Sequence, residues 1–145
     1  MKNINFIVCG EPKAKARPRF TRNGRAYTPK ETADYEKLVR QVYFDKHGSK
    51  TLNGELEATI VAYFSVPTSA SKTAQSAMLS DEKRPCKKPD CDNIAKIILD
   101  ALNGYAYADD KQIIDLRVIK KYAEVPKVVI EISERCDHKE DYEHK

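Results

Sequence analysis

Four carboxylates stand around one short stretch with helical spacing: Asp90 and Asp92 before it, Asp109 and Asp110 after it. Lysines lie ahead of it, within it and behind it, at Lys87, Lys88, Lys96 and Lys111. Acids set in a basic chain suit a hard divalent cation that meets a phosphate. Asp90 and Asp92 are two apart, so in extended backbone their side chains point the same way. Three carboxylates at close range repel one another unless a cation neutralises them. Mg²⁺ takes oxygen ligands and keeps several waters, so two or three aspartates plus a phosphate oxygen suit it. An ion held there activates a water and stabilises charge on a scissile phosphate, and a second ion assists the leaving 3′ oxygen. Lys96, one turn into the helix, is placed to contact the phosphate or steady the nucleophile. The plain alternative is structural, because Asp before a helix caps it and Asp-Asp before a strand makes a turn. Spacing does not separate the two readings, nor Asp109 from Asp110.

The elements that must position these groups are legible. Asn5 to Gly10 reads as a strand, with Ile4, Phe6 and Val8 on one face. Thr28-Pro29 opens a helix from about residue 30 to 46, with Thr28 as cap and Glu31 completing a capping box. Tyr35, Leu38, Val39, Val42 and Tyr43 form its apolar stripe. Residues 56–66 alternate as a strand that Pro67 ends, and residues 67–87 read either as a mobile loop or as a loop with one short helix near Lys72 to Leu79. The helix at the centre runs from Asn93 to Leu102, capped by Asp90 or Asp92 and buried through Ile94, Ile97, Ile98, Ala101 and Leu102. Gln112 to Tyr122 and Val128 to Ile132 are the remaining strands, and residues 134–145 are a polar tail, frayed or disordered.

Between the first strand and first helix lies a cationic stretch. From Lys13 to Lys30 there are seven Lys or Arg residues and no acid. Pro12 and Pro18 keep it extended, which aligns Lys13, Lys15, Arg17 and Arg19 in one row able to follow a phosphate backbone. Asn23-Gly24 predicts a tight hairpin turn flanked by Arg22 and Arg25. Lys87 and Lys88 make the approach to Asp90 positive as well. A solvated basic loop is the bland reading of each.

Composition bounds the rest. The chain has 145 residues, 41% hydrophobic and 33% charged, with net charge +4. That fits one domain with a modest core, too weakly basic to coat DNA indiscriminately. No run has membrane-span length and no export signal opens the chain. The cysteines, Cys9, Cys86, Cys91 and Cys136, show no C-x-x-C spacing and read as reduced thiols, which places the protein in the cytoplasm.

Lys88-Pro-Asp-Cys-Asp-Asn93, then Lys96, Asp100-Ala-Leu-Asn-Gly104 and Asp109-Asp-Lys-Gln-Ile-Ile-Asp-Leu-Arg117 together resemble the RusA family of Holliday junction resolvases. The Gly10-x-Pro12 and Arg17-Pro-Arg19 segment extends the likeness. The resemblance implies an α+β homodimer that binds four-way DNA junctions and nicks two strands symmetrically with Mg²⁺, or with Mn²⁺ in its place. Its catalytic aspartates fall on Asp90, Asp92 and Asp110, as metal ligands, and its lysine on Lys96. It also implies a bacterial or prophage source and a role in recombination and repair. With the elements above, residues 1–133 make one compact domain, a small mixed sheet packed with two main helices. Neither membrane nor organic cofactor is expected.

Two rivals remain. A non-catalytic junction-binding protein would keep the basic row without needing all three aspartates. A metal-dependent nucleotide phosphohydrolase would need a closed pocket and no long cationic row.

Overall fold

The computed structural model describes residues 2–135. Strand β1 (Asn3–Cys9) and a two-stranded hairpin, β2 (Arg19–Phe20) and β3 (Ala26–Tyr27), precede helix α1 (Lys30–His47). Then come β4 (Leu56–Ser65), α2 (Lys72–Leu79), α3 (Cys91–Leu102), β5 (Ile113–Ala123) and β6 (Lys127–Glu134). The main sheet has the order β1-β6-β4-β5; β5 runs parallel to β4 and the other pairs are antiparallel. This is the expected α+β fold, with α1 and α3 as its main helices.

Alternation explains the core. The buried residues of β1 (Ile4, Phe6, Val8), β4 (Leu56, Ala58, Ile60, Ala62, Phe64) and β6 (Val128, Ile130, Ile132) share one face, across which Ile60 pairs with Ile130 and Phe6 with Ile130. Onto it pack Tyr35, Val39 and Tyr43 of α1 and Ile94, Ile97, Ile98, Ala101 and Leu102 of α3. Emptying one α3 isoleucine site, as in Ile97→Ala, would cost about 2–5 kcal/mol. Among the described residues, no helix is long and apolar enough to cross a membrane.

Several local expectations need correction. Helix α1 starts at Lys30 with Pro29 at its cap and no side-chain cap bond, so the Thr28–Glu31 capping box does not form. The physical reason is register: Pro29 is extended (ψ 144°), which moves Thr28 one residue too far out to reach the first free N–H groups. Leu38 leaves the apolar stripe and is 43% exposed, whereas Thr32 and Glu36 are buried. The Asn-Gly turn is not a two-residue one, because Gly24 has positive φ and Asn23 does not. Instead a wider loop closes through Thr21 N–H to Arg25 O and Gly24 N–H to Thr21 O, both at 2.9 Å. Glu134 ends β6, and Arg135 donates to Glu55 O; the rest of the expected tail lies outside the described residues.

Candidate active site

Helix α3 organises the site. Asp90 is its N-cap residue, yet its carboxylate makes no capping bond; Asn93 Nδ2 donates to Asp90 Oδ1 at 2.6 Å instead. Asp92 lies inside the first turn, so the pair straddles the helix start, where free N–H groups favour negative charge. The Asn93 amide, then hydrogen bonding with Asp92 and the charge of Lys120, hold the exposed Asp90 carboxyl below its usual range. It is ionised at neutral pH and free to bind. Lys96 is exposed one turn on and, among the described residues, forms no ion pair.

Asp90 opens on a cleft of 1010 Å³ walled by residues 12–14, residues 84–91, Asn93 and Lys120. Its cationic side chains are Lys13, Arg84, Lys87, Lys88 and Lys120, against one carboxylate, Asp90. Such a cleft attracts a polyanion and offers it an exposed carboxylate in its wall. Lys120 Nζ donates to Lys87 O and stands 5.2 Å from the Phe64 ring centre, with Lys87 Nζ 5.8 Å from the same ring. These contacts fix two cations beside Asp90.

The other two aspartates lie at the opposite end of α3. Asn103 is the C-cap residue, and the Asp110 N–H donates to Asn103 Oδ1 at 3.1 Å. Buried Tyr107 pins this return by donating to Leu99 O at 2.6 Å. Asp109 caps the short 3-10 turn Asp110–Gln112: its side chain accepts from Lys111 N–H at 2.9 Å while Gln112 Oε1 accepts its own N–H at 3.0 Å. That bond with the Lys111 N–H holds Asp109 below the ordinary carboxylate range. Asp110 takes no part in the cap. Partial burial, then Asp109 and Asp100 beside it, push its carboxyl up.

The residues singled out from the sequence therefore separate. Asp90, Asp92, Lys87, Lys88 and Lys13 meet at the cleft or its edge, whereas Asp110 does not reach Asp90 within one chain. Among the described residues, no group of three or more His, Cys, Asp or Glu is close enough to hold a metal ion. The Asp90–Asp92 pair alone suits Mg²⁺, which is commonly held by one or two carboxylates and completed by substrate phosphates. Arg17, Arg19, Arg22 and Arg25 are exposed along the neighbouring segment and hairpin. Lys15 leaves the row. Its Nζ lies 2.7 Å from Glu36 Oε1 and 3.4 Å from Asp100 Oδ2, and its N–H donates to Asn93 O. This clamp ties the basic segment across α3, helped by Ala16 N–H to Thr32 Oγ1 at 3.2 Å.

Two positions that shape the candidate site escaped the sequence. Lys120 has the register of Val118 and Tyr122 on the core-facing side of β5, paired with Ala62. A lysine in that apolar series was the available signal. Glu36, buried among the α1 core positions, was the second.

The family model described as Endodeoxyribonuclease RusA matches residues 10–133. The chain is also 34% identical over 139 residues to the uncharacterized protein YqaN of Bacillus subtilis (strain 168), covering 92% of this chain and 98% of that one. The span that the family model matches holds the cleft, both aspartate pairs, β4, β5 and all but the last residue of β6, and on that ground the chain belongs to the endodeoxyribonuclease RusA family.

Proposed function

We propose that the protein is a Mg²⁺-dependent endonuclease that resolves four-way DNA junctions by paired symmetric nicks, acting in the cytoplasm in recombination and repair. The observation that carries this reading is Asp90: a helix-capping position whose carboxylate is excused from capping and faces a cleft of five cations. Asp90 and Asp92 would hold the divalent ion, and because Asp110 lies at the far end of α3 from them, it would complete the site only from the second chain of a homodimer. Bound there, the ion supplies Lewis-acid polarisation of the phosphate and an acidified water, with Mn²⁺ able to replace Mg²⁺.

The chain's own groups do the rest. Lys13, Lys87, Lys88 and Lys120 draw the phosphate backbone into the cleft, and Lys96 offsets charge that builds on the scissile group. The water oxygen attaches to phosphorus, the P–O3′ bond breaks, and the 3′ oxygen takes up a proton. The products are a 5′ phosphate and a 3′ hydroxyl, which a ligase can seal. Arg17, Arg19, Arg22 and Arg25 extend the positive track toward a second arm of the junction. A homodimer supplies two such sites on a two-fold symmetric substrate.

The test is cleavage of an end-labelled synthetic four-way junction, compared with linear duplex and with mononucleotides, in Mg²⁺ and in chelator. Paired nicks on the junction in Mg²⁺ alone support the reading. Junction binding without cutting under any divalent ion supports the non-catalytic rival, and hydrolysis of mononucleotides alone supports the phosphohydrolase.

A further inference from the structure

We propose that Lys120, paired with Lys87, forms a phosphate subsite beside Asp90, and that its ammonium touches the reacting phosphate of the cut strand; this rests on the nuclease reading above. The first observation is where the lysine stands. Lys120 has the parity of Val118 and Tyr122 in β5 and pairs with Ala62 of β4, on the face of the sheet that carries the core. The other cations of the cleft, Lys13, Arg84, Lys87 and Lys88, are exposed, whereas Lys120 is half-buried. A half-buried ammonium is unfavourable unless an anion answers it. Among the described residues Lys120 has no ion pair, and its bond to Lys87 O occupies one of its three donors.

The second observation is two like charges held together. Lys120 Nζ lies 5.2 Å and Lys87 Nζ 5.8 Å from the centre of the buried Phe64 ring. A ring face offsets part of each charge, but the repulsion between the two ammoniums stays until an anion joins them. A phosphodiester offers two non-bridging oxygens to such a pair. Asp90 lines the same cleft and feels the charge of Lys120, yet the ion pairs found among the described residues do not include it. The carboxylate is thus free for a divalent cation, and the ammonium is free for the phosphate.

The third observation weighs against a merely structural lysine. Adjacent residues of a strand point to opposite faces, so Lys120 and Lys121 reach the chain ahead of α3 from both sides of β5. Lys121 Nζ stands 3.6 Å from Asp81 Oδ2, and Arg84 donates twice to the same carboxylate at 3.0 Å. That segment is therefore anchored to β5 without Lys120. What Lys120 adds is a donor fixed in the β4–β5 ladder and against a buried ring, which needs little rearrangement as charge builds on a phosphate.

Three variants test the subsite by cutting. Lys120→Met keeps the stem over Phe64 and removes the charge. At saturating four-way junction in Mg²⁺ it is expected to cut about 100-fold more slowly, while its junction affinity in chelator falls by no more than about 10-fold. It is also expected to melt no lower than wild type, since the lost cation had no carboxylate partner. Lys120→Arg, which keeps the charge, recovers cutting to within about 10-fold of wild type. Lys121→Met loosens the same segment from the other face and keeps cutting to within about threefold. Wild-type cutting at saturation by Lys120→Met overturns the proposal. A Lys120→Met that melts well below wild type marks a structural lysine and overturns it too, as does an equal loss of cutting in Lys121→Met.

A second readout needs no cutting. In the protein with its lysines carrying ¹³C-methyl groups, the Lys120 resonance is identified by its absence from Lys120→Arg. In chelator, it is expected to shift when the four-way junction is added to saturation. A resonance that stays in place overturns the subsite while leaving the nuclease reading intact. Should the wild type cut no junction, the nuclease reading falls, and this spectrum alone decides whether Lys120 meets a phosphate.

Discussion

Asp109 and Asp110 are adjacent in the chain and divide their labour: Asp109 accepts the Lys111 N–H at 2.9 Å as the cap of a 3-10 turn, and Asp110 is left out of that cap. The two substitutions should separate accordingly. Asp109→Ala removes a cap and lowers Tm slightly, with cutting largely retained. Asp110→Asn abolishes cutting and raises Tm at pH 7 by about 1–2 °C, since like charge is relieved. Because Asp110 titrates above its ordinary value in the folded chain, its ionised form works against folding at neutral pH. That gain therefore fades as pH falls below the ordinary carboxylate range. Thermal melts from pH 3 to 7 beside a cleavage assay check both statements.

Lys15 and Lys13 should part in the same way. Lys15→Ala strips the cation from buried Glu36 and from Asp100, and is expected to cost about 1–3 kcal/mol. Lys13→Ala leaves stability unchanged, because its side chain is exposed at the cleft mouth. It should weaken junction binding and reduce the slope of log K against log salt by about 1. Chemical denaturation and a salt titration of binding distinguish the pair. Equal melting loss in both variants would contradict the assignment.

Much of this was legible in the sequence, and the misses have physical causes. Period-two alternation in residues 56–65 and the isoleucine stripe of α3 located the core, because burial repeats with the geometry of strand and helix. The helix Lys72–Leu79 was one of two readings of its loop, because no strong period marks that stretch. The row of Lys13, Lys15, Arg17 and Arg19 was broken by a tertiary contact: parity along an extended chain cannot show that Glu36 and Asp100 converge on Lys15. The gap between Asp90 and Asp110 was implicit in the predicted helix from Asn93 to Leu102, whose axis of about 15 Å lies between them, but nearness along the chain was read as nearness in space. Alternation along residues 112–122 marked a strand but not its place in the sheet: β5 lies at an edge, where Ile114 and Leu116 stay exposed.

Tyr35 offers a stability test. Among the described residues, its hydroxyl is buried and has no hydrogen-bond partner, and burial pushes its pKa up to about 12. Tyr35→Phe is expected to stabilise the protein by about 1 kcal/mol, by removing that unpaired group. In the wild type the unfolded chain ionises first, near pH 10, so stability present below pH 10 is lost as pH rises toward 12. Denaturant titrations from pH 9 to 12 should show a shallower decline in the variant.

The hairpin carries the selectivity prediction. Phe20 is 70% exposed beside Arg22 and Arg25, an aromatic ring on a cationic arm. Rings so placed stack on bases that are not fully paired, at about 1–3 kcal/mol per base. Phe20→Ala should lower affinity for a four-way junction about 10-fold and leave duplex affinity unaltered. Competition binding with both DNAs measures the ratio, and an equal loss on both would remove the hairpin from junction recognition.

The most direct measurement of the central claim compares binding and cutting in Asp92→Asn. With labelled four-way junction and Mg²⁺, the account predicts wild-type-like junction affinity and cleavage reduced by roughly 100-fold or more. Asp92→Asn that cuts at the wild-type rate would contradict it.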